Sequence, residues 1–132
     1  MLTTSHPKPV ILVIDDDDEI RTMIQDVLED QGFLVESAAN GRLALEMLDR
    51  ERALPALILL DLMMPEMDGW EFRRRQEELP RLAGIPVVVF SGSLEGREAP
   101  LSLHAAATMN KPLGLGDLVT LVDQLARCRK PN

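Results

Sequence analysis

Three uninterrupted apolar runs rich in β-branched residues punctuate the chain: Val10-Ile11-Leu12-Val13-Ile14, Leu57-Ile58-Leu59-Leu60 and Val87-Val88-Val89-Phe90. None alternates with polar positions, so each predicts a strand buried on both faces, as in the middle of a parallel sheet. Phe33-Leu34-Val35 predicts a shorter strand, and Ala105 to Met109 is expected to hold a short helix end followed by a fifth strand.

Between the strands the period lengthens. Ile20, Ile24, Val27 and Leu28 fall on one helical face, with Gly32 placed to end that helix in a left-handed conformation. Asn40 is set to cap a second helix that turns Ala44, Met47 and Leu48 inward. Gly69 to Leu79 predicts a third helix, stopped by Pro80. Gly92, Gly96 and Pro100 oppose a regular helix between Ser91 and Pro100, so a fourth should be short or irregular. Leu115, Leu118, Val119, Val122, Leu125 and Ala126 define an amphipathic terminal helix.

Strands alternating with helices imply βαβ units and a parallel sheet covered on both faces. Right-handed crossovers then predict an α/β fold, a flavodoxin-like doubly wound (βα)5 sandwich with strand order 2-1-3-4-5. The expected domain covers residues 9–128, with a flexible tail at 1–8 and another at 129–132.

Composition narrows the class. A chain of 132 residues fits one domain. Its net charge of −8 argues against nucleic acid, whose backbone needs a concentrated basic surface, and against anionic membranes. No apolar run approaches a membrane span, and the first ten residues lack the apolar core of a signal peptide. One cysteine, Cys128, excludes an internal disulfide and agrees with a reducing cytoplasm.

In a doubly wound sheet, function gathers at the carboxyl ends of the strands. There stand Asp15 and Asp16, Asp61, Ser91, and Lys111 before Pro112. Carboxylates brought so close repel one another, which a shared cation relieves. Oxygen-only ligands suit a hard divalent ion such as Mg²⁺. Three carboxylates, one Mg²⁺ and the Lys111 ammonium sum to zero, leaving a pocket able to accept a phosphoryl group. Asp17, Asp18 and Glu19 have the simpler reading of a cap and an acidic first helical turn. Any of the other positions taken alone could be a loop starter or a solvated charge; their joint placement carries the signal.

These pieces, Val-Ile-Asp-Asp at 13–16, Leu-Leu-Asp-Leu-Met-Met-Pro-Glu-Met-Asp-Gly at 59–69, Val-Val-Val-Phe-Ser at 87–91 and Asn-Lys-Pro at 110–112, resemble the receiver domain of two-component response regulators. The similarity runs from about Val10 to Ala126. It implies that Asp61 is the phosphoacceptor, a carboxylate nucleophile giving an acyl phosphate. It implies that Asp16 ligates Mg²⁺ directly, Asp15 mainly through water, and that Asp61 and the Met63 backbone carbonyl complete the protein ligands, with Mn²⁺ as a substitute ion. Lys111 would pair with one phosphoryl oxygen and the Ser91 hydroxyl would swing in to another. The implied partners are a sensor histidine kinase or histidine phosphotransfer protein and a downstream protein target. The chain would be a signalling receiver that supports only its own phosphorylation and dephosphorylation.

Some positions depart from the family. Thr108 stands where many receivers carry a switching aromatic ring, Gly92 follows the switch hydroxyl, and Arg73 and Gln76 replace apolar residues in the third helix. Three other readings compete. A haloacid-dehalogenase-type phosphatase needs a second acid two residues after its nucleophile, where Met63 stands. A flavin mononucleotide module fails on charge, since Asp15 to Asp18 would repel a phosphate. A pseudo-receiver acting only as an interaction module tends to lose the acid pair, the acceptor or the lysine, all present here.

Overall fold

A computed structural model describes residues 8–50, 54–91, 104–110 and 114–127. The elements follow one another as β1 (Val10–Ile14), α1 (Asp18–Asp30), β2 (Leu34–Ala38), α2 (Gly41–Arg50), β3 (Leu57–Asp61), α3 (Gly69–Glu78), α4 (Pro80–Ala83), β4 (Val87–Ser91), β5 (Ala107–Asn110) and α5 (Leu115–Arg127). The five strands form one parallel sheet in the order β2-β1-β3-β4-β5. This is the topology expected from the alternating patterns.

The continuous apolar runs are explained by the two faces they serve. Ile11, Val13, Leu57, Leu59, Val88 and Phe90 point into a core with Ile24 and Leu28 of α1 and Leu118 and Val122 of α5. Their neighbours Leu12, Ile14, Ile58, Leu60, Val87 and Val89 point the other way, against Ala44 and Leu48 of α2, Phe72 of α3 and Leu82 of α4. A strand lined on both sides has no position to spare for a polar residue. Full burial of each such side chain is worth about 1.5–3 kcal/mol.

Helix ends match the local chemistry. Asp17 caps α1 by accepting from the N–H groups of Glu19 and Ile20, at 2.9 and 3.3 Å. At the other end Gly32, with φ of 95°, donates to Glu29 O while Phe33 donates to Leu28 O, a Schellman closure that also buries the Phe33 ring. Asn40 caps α2 through Leu43 N–H at 2.9 Å.

Three expectations need correction. The second strand begins at Leu34 and runs on through Glu36 and Ser37 to Ala38. Beside β1 it is an edge strand, which tolerates polar residues that a central strand does not. Pro80 does end α3, but it also opens α4, occupying the first helical position where its missing N–H costs nothing. Ala105 and Ala106 are not helical; they lead directly into β5, with Ala106 N–H bonded to Val87 O at 2.8 Å. The stretch 92–100, the residues 1–7 of the expected tail, and Cys128 with the tail at 129–132 lie outside the described residues.

Candidate functional site

The register sets the carboxyl ends of β1, β3, β4 and β5 side by side. Ile14 lies opposite Leu60, Asp61 opposite Phe90, and Ser91 opposite Asn110. Asp61 is the last residue of β3, and Asp15 and Asp16 follow β1 directly. Their three carboxylates offer oxygens that all lie within 4.8 Å of one another. Asp15 is 0% and Asp61 2% exposed, whereas Asp16 faces solvent. Asp15 Oδ1 accepts from Asp17 N–H at 2.9 Å, and Asp61 Oδ1 accepts from Met63 N–H at 3.2 Å. Two buried anions and a third at the rim, with hard oxygen donors only, form a donor set that fits a small divalent cation.

The loop after Asp61 is held tightly. Gly69 N–H bonds to Leu62 O at 2.9 Å, and a Cβ on Gly69 would come within 2.7 Å of the Asp61 carbonyl oxygen. Only glycine allows the start of α3 to approach the end of β3 so closely. Glu66 adopts a left-handed φ of 66° and accepts at Oε2 from Asn40 Nδ2 at 3.2 Å, tying this loop to the α2 cap. Asp68 caps α3 through Glu71 N–H at 2.9 Å.

Of the site residues expected from sequence, Asp15, Asp16 and Asp61 come together. Met63 sits beside them with its side chain exposed. The backbone of Ser91 ends β4 next to β5; its side chain and all of Lys111 lie outside the described residues. Thr108, in β5, is exposed. Two contacts escape a reading of the sequence: the Asn40–Glu66 tie, for which no local signal exists, and Arg21, whose Nη1 donates to the Asp15 carbonyl at 2.6 Å. The hint for Arg21 was its place three residues after Asp18.

Arg73 and Gln76, unusual as polar residues on the inner side of α3, are buried and fully engaged. Arg73 donates to Gln76 Oε1 at 2.7 Å and to the His104 carbonyl at 2.9 Å; Gln76 Nε2 donates to the carbonyls of Leu82 and Ile85 at 2.9 and 3.0 Å. Burial pushes the Arg73 guanidinium down from its ordinary range, and the carboxylate of Glu77 opposes that shift.

The profile of the response regulator receiver domain matches residues 11–123. The chain belongs to that family. A receiver of this length is also 37% identical over 124 residues to an uncharacterized 14.6 kDa protein in the sodA1 3' region of Leptolyngbya boryana, covering 92% of this chain and 93% of that one. It is 35% identical over 122 residues to the response regulator MprA of Mycobacterium leprae, covering 92% of this chain but 53% of the relative. The receiver thus spans about half the length of that regulator. Among solved structures it superimposes, with a TM-score of 0.82 and 29% identity over 94% of both chains, on the signal receiver domain of a signal transduction histidine kinase from Syntrophus aciditrophicus. Among the described residues of this receiver, no helix is long and apolar enough to cross a membrane.

Proposed function

We propose that this receiver takes a phosphoryl group from a histidine kinase or histidine phosphotransfer protein onto Asp61. The observation that carries the reading is the convergence of the Asp15, Asp16 and Asp61 carboxylates at the carboxyl ends of β1 and β3. Asp16 and Asp61, with the Met63 carbonyl, would hold Mg²⁺ or Mn²⁺, and Asp15 would act mainly through water. Bound there, the ion supplies neutralisation of the charge on the transferred group.

The chain's own residues do the rest. One Asp61 oxygen attacks phosphorus, forming the P–O bond as the P–N bond to the donor imidazole breaks; that ring, protonated on its other nitrogen, takes the electron pair of the broken bond and leaves as neutral imidazole. The Met63 N–H, already on Asp61 Oδ1, orients the carboxylate for that attack. Asp15 and Asp16 keep competing anions out until the cation is in place. Lys111 and the Ser91 hydroxyl are assigned to the phosphoryl oxygens, the second as the conformational switch that a downstream protein target reads. The reading includes a cytoplasmic setting and a signalling role with no separate substrate.

Incubation with a small phosphodonor and Mg²⁺, followed by intact-mass measurement, tests this. One added phosphate is expected, absent in Asp61→Asn. No incorporation by the wild type, with kinase or small donor, would instead make the chain a pseudo-receiver, an interaction module independent of phosphorylation.

A further inference from the structure

Asp15 is tied at three atoms. Its N–H donates to Ala38 O of β2 at 3.1 Å, its Oδ1 accepts from Asp17 N–H, and its carbonyl accepts from Arg21 Nη1 at 2.6 Å. The other arm of the Arg21 guanidinium pairs with the Asp18 carboxylate. Its side chain is only 17% exposed, so the contact is made partly out of water, where a charge-assisted bond is strongest.

Helix stability does not account for a cation at this place. Arg21 lies in the first turns of α1, at the positive end of the helix dipole, where a positive charge is disfavoured. An ion pair with an exposed i−3 partner is worth at most a few tenths of a kcal/mol. What Arg21 gains is the carbonyl, and that carbonyl belongs to the peptide plane joining Asp15 to Asp16. Rotating this plane swings the Asp16 Cα–Cβ bond toward or away from Asp61.

We infer that Arg21 is a positioning residue for the divalent cation: its bond to the Asp15 carbonyl sets the peptide that aims Asp16 at the ion shared with Asp61. The inference rests on the metal reading of the acidic cluster given above. It makes a prediction opposite in sign to simple electrostatics. A guanidinium near the site repels a cation, so deleting the charge alone would tighten Mg²⁺ binding. Deleting a positioning contact weakens it, by roughly tenfold for an outer partner of a metal ligand.

Calorimetric titration of Mg²⁺ into the wild type, Arg21→Met and Arg21→Lys at a temperature well below unfolding decides the matter. The expected order of affinity is wild type, then Arg21→Lys, then Arg21→Met, with the last weaker by roughly tenfold. In the metal-free proteins, the Asp16 and Asp17 amide resonances should move in Arg21→Met while those of α5 stay in place. An Arg21→Met affinity equal to or tighter than that of the wild type overturns the inference, as does a lowered unfolding temperature with an unchanged Kd. Should Arg21→Met fail to fold, Arg21→Lys carries the test, and an unchanged affinity there overturns it. A wild type that binds no Mg²⁺ defeats the metal reading itself, and the inference with it, whereas wild-type binding unaffected by either variant defeats the inference alone.

Discussion

Arg73 Nη1 lies 2.7 Å from Gln76 Oε1, both side chains buried on the inner side of α3 where apolar residues were expected. The amide of Gln76 completes a relay: it receives from the guanidinium and donates to the Leu82 and Ile85 carbonyls at the two ends of the turn between α4 and β4. The guanidinium meanwhile holds His104, which carries a left-handed φ of 50° just before β5. Among the described residues no buried side-chain polar atom lacks a partner.

That relay makes the two residues unequal under mutation. Gln76→Leu takes one acceptor from the buried guanidinium, which keeps the His104 carbonyl and Glu77, and removes the side-chain donor from the Ile85 carbonyl, while the Leu82 carbonyl keeps its backbone donors; it should cost about 2.5–5 kcal/mol. Arg73→Met takes the donor from Gln76 Oε1 and the His104 carbonyl and leaves Glu77, part-exposed, with its His104 contact, and should cost about 1–3 kcal/mol. The double variant should lose less than the sum, since each removes the need for the other. Urea unfolding of the four proteins measures the cycle, and additive losses would show that the pair is not coupled.

Two glycines should respond oppositely to the same change. A Cβ at Gly69 would meet the Asp61 carbonyl oxygen and Leu62 Cα at 2.7 Å, both backbone atoms that cannot step aside. Gly69→Ala should cost about 1–3 kcal/mol and disturb the loop after Asp61. Gly84 has an ordinary α-region backbone and open space around it, so Gly84→Ala should be neutral or stabilise by about 0.4–1 kcal/mol. Thermal unfolding of the two variants checks the contrast.

Acid should weaken α3 through Glu71. Hydrogen bonds from Arg74 and Arg75 hold its carboxyl at about 2, below the ordinary 4.5. Because the folded value is the lower one, the contribution is complete above pH 4.5 and is lost as pH falls toward 2. The stability difference between wild type and Glu71→Gln should therefore shrink across that window. The group is at the surface, so high salt should shrink it too.

How much of this could be read from the chain follows from where each residue's partners lie. The runs at Val10, Leu57 and Val87 were legible because burial on both faces leaves an unbroken apolar signature. Asp15, Asp16 and Asp61 were legible because strand ends are fixed by those runs, and topology alone brings them together. Residues whose role depends on distant backbone were not. Arg73 and Gln76 looked misplaced in α3 because the carbonyls that satisfy them belong to Leu82, Ile85 and His104. Glu66 gave no sign of its left-handed turn, since its stabilising partner Asn40 is 26 residues away. Pro80 read as a stop because a breaker and a helix opener are the same residue seen from opposite sides.

The lifetime of the phosphorylated state should depend on Met63. Hydrolysis of an acyl phosphate on Asp61 requires a water in line with the breaking bond, and a side chain able to hold that water speeds the reaction more than access alone. Met63 is 55% exposed, and its thioether is at best a weak acceptor. It stands two residues beyond Asp61, on the loop that leaves β3. Met63→Asn places a donor and an acceptor there while keeping the backbone N–H on Asp61 Oδ1, so the carboxylate should stay oriented. Dephosphorylation should accelerate by roughly tenfold, equivalent to about 1.4 kcal/mol of barrier. Met63→Leu, apolar and of similar size, should leave the rate where it is. Half-lives of the three phosphoproteins in Mg²⁺ separate the possibilities: equal rates for Met63→Asn and wild type would mean that water is oriented elsewhere, and equal acceleration in both variants would mean that the added amide is not what orients it.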